Sequence, residues 1–235
     1  MITRLLIASH FLVLIVGCSS GGDDSPQVVI PMDTSVIRTY QEGDSVTMDM
    51  TLRQTSTGQT ITGKVTMTVG TIVPNPFGVD CKSIAFTGTL TGPSGSVSIL
   101  DKGLFYQDVS GSLYECGDYD DNLGKYVFLT DTTTTPNGIF LEKISPMQIG
   151  DTTSGIVFYD DGSWEDCTET VVAIENISVP IGLYEAYKIQ ESCTESDGTT
   201  SSGTDWFVPS IFTIKETETF DGITGEAVIT DFSFN

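Results

Sequence analysis

The sequence is short of histidine, of basic residues, of alanine and of any helical repeat of apolar positions. Its single histidine, His10, lies in an N-terminal apolar segment. If that segment is removed, the remaining chain has none. Ser-His-Asp and Cys-His catalysis, HExxH zinc sites and every His-ligated metal are then excluded. Carboxylate chemistry, oxygen-ligand metals and plain binding remain. Ten Lys and Arg stand against 32 Asp and Glu, a net charge of −22. Phosphate contacts need cationic side chains, so nucleic acid is not an expected partner. Anionic headgroups would repel the chain unless something tethers it. No Cys-x-x-Cys is present, which removes thioredoxin-like redox chemistry and a zinc knuckle. Alanine is rare and threonine frequent, and no long window places apolar residues at i, i+3, i+4 and i+7, so helices are not expected.

What is present begins with an address. Met1 to Arg4 carry one positive charge, and Leu5 to Val16 are apolar apart from Ser9 and His10. This run is too short to span a bilayer, which takes about 20 residues. Its length and flanks fit a signal-peptide core over residues 1–17. The segment ends in Ile15-Val16-Gly17-Cys18, which resembles the bacterial lipobox. That resemblance implies a diacylated Cys18 as the first mature residue, held in the membrane by several acyl chains. Ser19 stands where an aspartate would retain such a protein at the inner membrane, so the resemblance implies the outer membrane. Residues 18–36 read as a lipidated, polar linker. Asp23 and Asp24 resemble the export signal of some surface-displayed lipoproteins, but a solvated tether is the favoured reading; the periplasmic or surface side stays open.

Five cysteines are an odd number. With Cys18 lipidated, Cys81, Cys116, Cys167 and Cys193 remain for the disulfides that an oxidising compartment permits. Of three possible pairings, Cys81–Cys116 with Cys167–Cys193 is favoured, because each pair stays within one half of the chain.

The body reads as strands. Hydrophobic residues make up 39%, enough for a core. Val46, Met48, Met50 and Leu52 alternate with polar residues, as do Ile61, Val65, Met67 and Val69 beyond a turn at 55–59, which predicts a long hairpin. A second hairpin is predicted around Asp160-Asp161-Gly162-Ser163. Further strands are expected at 81–90, 96–100, 104–108, 126–130, 138–144, 171–179, 183–191, 205–208, 211–219 and 227–234. The fold class is all-β: antiparallel meander sheets in two similar tandem halves, forming a curved sheet, sandwich or open barrel. The halves are read from Gly43-Asp44-Ser45 against Gly150-Asp151-Thr152, with Pro74 31 residues after the first glycine and Pro180 30 after the second. The period is roughly 107 residues and the join falls near Ser145-Pro146, giving halves at 37–145 and 146–235.

Val179-Pro180-Ile181-Gly182-Leu183-Tyr184-Glu185-Ala186-Tyr187-Lys188 resembles the "Val-Pro-Ala-Gly-x-Phe-x-Ala-x-Lys" strand of a secreted β-domain common in bacterial lipoproteins. That domain's later "Trp-Tyr-x-Pro-Gly-x-Gly" stretch corresponds to Trp206-Phe207-Val208-Pro209-Ser210-Ile211-Phe212, where Ser210 and Phe212 replace both glycines. The resemblance covers residues 150–235 and implies a β-domain; it supplies no catalytic residue.

Three constellations are chemical candidates. Asp118, Asp120 and Asn122 have the spacing of the first EF-hand ligands, but Leu123 and Leu129 stand where glycine and glutamate are required, leaving only a looser calcium site. Asp160, Asp161, Glu165 and Asp166 surround Trp164, a setting that suits carboxylate-based glycan hydrolysis. Met48, Met50 and Met67 form a soft apolar face that a lipid could occupy, with Trp206 as a binding lip, although a packed core is the favoured reading of both. The expected function is non-enzymatic: an envelope lipoprotein that binds or scaffolds another protein, a glycan or a lipid. Carriage of an apolar ligand is the alternative, and hydrolysis the second alternative.

Overall fold

A computed structural model describes residues 28–33, 36–121 and 123–235. Cys18, the signal segment and Asn122 lie outside the described residues. Apart from a short 3-10 turn at Pro136–Gly138, the regular elements are all strands. The first half contributes β2 (Ser45–Gln54), β3 (Thr60–Pro74), β4 (Asp80–Gly92), β5 (Gly95–Gln107), β6 (Leu113–Asp120), β7 (Lys125–Phe128) and β8 (Phe140–Lys143). The second contributes β9 (Thr152–Phe158), β10 (Trp164–Val179), β11 (Gly182–Glu195), β12 (Thr200–Val208), β13 (Phe212–Phe220) and β14 (Ile223–Ser233). β1 (Val29–Ile30), inside the stretch expected as linker, runs parallel to β11, pairing Val29 with Leu183 and Ile30 with Tyr184.

All the long strands join one sheet, in the order β7-β6-β5-β4-β3-β2-β14-β13-β12-β11-β10-β9. Each half is a meander, and the last strand of the chain, β14, pairs antiparallel with β2 to splice them. The two free edges, β7 and β9, approach each other but share only the isolated bridge Leu129–Tyr159, so the sheet stays open. Threonine hydroxyls stitch the gap. Thr130 Oγ1 donates to Phe158 O (3.1 Å), Thr134 Oγ1 to Ile156 O (2.8 Å) and Thr153 Oγ1 to Glu142 O (3.0 Å). These bonds occupy carbonyls on β9 and β8 that an uncovered edge would offer to another chain.

The halves open with the same hydrogen bonds. Gly43 N–H donates to Val69 O, and Gly150 N–H to Val171 O, both at 2.8 Å. Val69 N–H returns to Asp44 O and Val171 N–H to Asp151 O. Asp44 Oδ2 accepts from Gln41 N–H and Asp151 Oδ2 from Gln148 N–H. A bulge follows in each case, at Val69/Ile72 and at Val171/Ala173. Both loops begin with a glycine at positive φ (Gly43 +88°, Gly150 +96°), where a Cβ would strain the turn.

Both predicted hairpins are present, Ser45–Arg53 against Thr60–Thr68 and Phe158 against Trp164. Tyr159 N–H bonds Ser163 O, Gly162 N–H bonds Tyr159 O, and Gly162 has a φ of +92°: a type I turn closed by a left-handed glycine. Both favoured disulfides are formed, Cys81–Cys116 and Cys167–Cys193. Two expectations about strands need correction. The strands expected at 96–100 and 104–108 are one, Gly95–Gln107, because Asp101 and Lys102 continue the ladder opposite Phe86 and Ala85. Residues 113–120, left without a strand, form β6: Asp118 pairs with Gly103 on one side and Val127 on the other.

The main core holds Val46, Met48, Met50, Leu52, Val65 and Met67 against Leu90, Ile99, Ala186, Ile214 and Ile229. The methionines are 3–5% exposed. They are packed core residues, and none lines the cavities described below.

Candidate functional site

Strand alternation gives the second half two opposite chemistries. Residues directly opposite on neighbouring strands share a face. Glu169, Glu191, Gly203 and Glu218 form one row across β10–β13, and Val171, Ile189, Asp205 and Glu216 form the next. This face turns inward. Glu165, Glu216 and Glu218 are buried on it, and Cys167–Cys193 crosses it. Lys143, buried on β8, reaches in to bond both oxygens of Glu169 at 2.8 Å, with Asp205 Oδ2 at 3.8 Å.

Glu115, Glu142, Glu165, Glu169 and Glu191, with Thr153, Phe140, Val157 and Cys167, enclose a cavity of about 20 Å³, room for a single water. Burial alone would push the Lys143 ammonium down; Glu169, Asp205, Glu142 and Glu191 overcome it and hold the lysine charged. Burial raises the Glu142 carboxyl to about 8, eased by Lys143 and reinforced by Glu169, Glu115 and Glu191. Asp118 rises to about 9, first by burial and then by Asp101, and Asp101 itself rises to about 7 by burial. Asp101 Oδ2 and Asp118 Oδ1 are buried without a hydrogen-bond partner.

The opposite face is largely exposed and carries two rows of hydroxyl and amide side chains, with Asp166 beyond one row and Glu226 beside Thr217 at the end of the other. Thr168, Ser192, Ser202 and Thr219 form one row, and Thr170, Gln190, Thr204 and Thr217 the next. Together with Val172 and the strand segments at Glu191, Gly203 and Glu218 they line an open trough of about 600 Å³. Two residues beyond Thr204 on the same strand, Trp206 lies past the trough's lining, half-buried against the main core. Its Nε1–H donates to Glu175 Oε2 at 3.0 Å, and Lys188 and Lys215 flank its ring at 5.6 and 5.2 Å from the centroid. Those lysines are paired in turn with Glu175 (2.9 Å) and Glu226 (3.3 Å), which offsets their charge.

The sequence candidates fall as follows. Asp118 and Asp120 lie on β6 rather than in a loop. With its carboxyl raised into the neutral-acid range, Asp118 would have to lose a proton before ligating calcium. Among the described residues, Cys167, Glu191 and Cys193 bring three ligating atoms within 4.8 Å of one another, but the two sulfurs are bonded to each other. Of the carboxylates around Trp164, Glu165 is buried inward while Asp166, its neighbour on the strand, is exposed on the other face, so they cannot flank one glycosidic bond. Asp161 Oδ1 is engaged by Ser163 N–H (2.8 Å) and its hydroxyl (2.6 Å) within the turn. Lys143, the inward glutamates other than Glu165, and the hydroxyl rows were missed. Their signal is the alternation Glu165-Asp166-Cys167-Thr168-Glu169-Thr170-Val171, where the glutamates share a parity with a cysteine and a buried valine.

No protein-family model matches the chain, and no curated protein matches it. Among solved structures, it is similar to a protein from Bacteroides fragilis described as exported and of YmcC-like fold, at 12% identity and a TM-score of 0.43. The match covers 85% of this chain and 99% of that one. A likeness this slight carries no argument about what the chain does.

Proposed function

We propose that this chain is an outer-membrane lipoprotein, anchored through Cys18, whose β-body binds a ligand or partner without transforming it. The lipobox-like Ile15-Val16-Gly17-Cys18 supports the anchor, and two disulfides suit an oxidising compartment. The observation that carries the binding role is the hydroxyl-lined trough of about 600 Å³, inside the volume range of small-molecule sites. The described chain begins at Val28, and Val29 and Ile30 pair with Leu183 and Tyr184, whereas Gln190 and Ser192 stand further along β11, about 20–30 Å away at 3.3 Å per residue. Ten residues from Cys18 to Val28 reach at most about 35 Å.

Two experiments test this on the full chain. Cys18→Ala should move the protein out of the membrane fraction or leave it unprocessed; normal membrane retention would remove the anchor. Crosslinked envelopes should yield a partner that the trough-filling Thr204→Trp variant loses. The same partner from both would show that the trough is not the binding face.

A further inference from the structure

Resting on the binding role just given to the trough, we infer that its ligand is a stretch of uncharged polysaccharide laid across β10–β13 and abutting Trp206. The two rows present seven hydroxyls and one amide: Thr168, Ser192, Ser202 and Thr219, then Thr170, Gln190, Thr204 and Thr217. Each hydroxyl is both donor and acceptor, and the Gln190 amide offers one of each kind. A sugar hydroxyl has the same dual character, so either partner can rotate to suit the other. Neighbouring strands lie about 4.8 Å apart and alternate residues on one strand about 6.7 Å apart, which spreads these groups as a grid rather than a point site. A grid suits a repeating ligand.

Charge selects among ligands. The chain as a whole carries −22, so a polyanion is repelled at long range. The two cations nearest the trough, Lys188 and Lys215, are already paired with Glu175 and Glu226 and offer no net positive charge. A protein partner would want an apolar centre, and Val172 is the one aliphatic side chain of the lining. Thr170 already bonds Thr152 and Thr217 the Thr204 carbonyl, but an acyl chain would cover the remaining hydroxyls without offering them a hydrogen bond. An uncharged polyol satisfies them, and a chain of it running past Thr204 along β12 meets the half-buried Trp206 two residues on.

The test uses the full-length protein in detergent and affinity electrophoresis through gels containing dextran, mannan, xylan or the polyuronate alginate. Retardation is expected with at least one of the three uncharged polymers, nearly unchanged between about 50 and 500 mM salt because no ion pair is made. Thr204→Val and Ser202→Ala, which remove a hydroxyl at almost constant shape, should each weaken it by roughly threefold to tenfold. Their circular dichroism should match the parent. Retardation by alginate alone, fading with salt, would overturn the inference. So would no retardation by any polymer while Thr204→Trp still abolishes the crosslinked envelope partner: the trough would then bind something other than uncharged polysaccharide. If neither polymer retardation nor loss of the partner is seen, the binding role of the trough falls with it.

Discussion

The Tyr159 hydroxyl donates to Glu115 Oε1 at 2.7 Å, joining the end of β9 to β6 at the place where the two free edges of the sheet approach. Tyr159 is also one side of the single bridge there, with Leu129. Burial, and then Glu115, Glu165 and Asp118, raise the phenol far above its ordinary value, so it stays a proton donor. Tyr159→Phe should destabilise the chain by about 1.5–3 kcal/mol, the usual worth of a hydrogen bond to a charged group. Urea unfolding measures it. Glu115→Gln keeps an acceptor while removing one charge from an acidic interior, so it should cost less; an equal or larger loss would show that the charge itself matters.

Lys143 is the cation of the inward face, held by Glu169 and Asp205. Lys143→Met should cost about 3–5 kcal/mol, because it strands buried carboxylates without their counter-charge. Adding Glu169→Gln should recover part of that loss. If the double variant is no better than the single one, Lys143 contributes by packing alone.

The inward acids also set a pH profile. Asp101, Glu142 and Asp118 have folded values near 7, 8 and 9, above their unfolded values near 4. The folded state therefore holds more protons than the unfolded state between pH 4 and 9, and stability falls as pH rises through that window. Asp44 works the other way. Burial would raise it, but Asn235 N–H, Gln41 N–H and Arg38 hold it below its ordinary value, so it loses stabilisation as pH falls below about 4. The expected optimum lies near pH 5, with Tm declining by pH 9. A Tm flat from pH 5 to 9 would contradict the assignment. Asp118→Asn should flatten the alkaline limb.

The Cys81–Cys116 disulfide ties β4 to β6 across β5, around Leu104. It closes a loop with a sequence separation of 35, so replacing both cysteines by serine should cost about 3–4 kcal/mol by loop-closure entropy. Guanidinium unfolding of the two species gives the difference.

The architecture was legible because its signal is periodic. Val46 to Val69 alternate with period two, and Gly43-Asp44 and Gly150-Asp151 repeat a loop whose hydrogen bonds recur in both halves. β6 was not legible because Gly117 and four acidic residues between 115 and 121 carry turn composition, and its burial comes from neighbouring strands. Asp118 illustrates the same limit: an aspartate reads as a surface group until the sheet closes over it. The trough could not be found from local pattern either. Its rows unite residues from four strands, and threonine on an exposed strand face looks the same whether the face is flat or concave.

β14 has a consequence for how the molecule comes into being. It occupies the middle of the sheet, between β2 and β13, yet it follows every other described strand in the sequence. Until its final residues arrive, β2 and β13 present two long unpaired edges at the centre of the structure. The nascent chain therefore cannot mature from its N-terminus onward, and a product truncated even a dozen residues early should be a sticky, protease-sensitive species rather than a slightly shorter version of the whole.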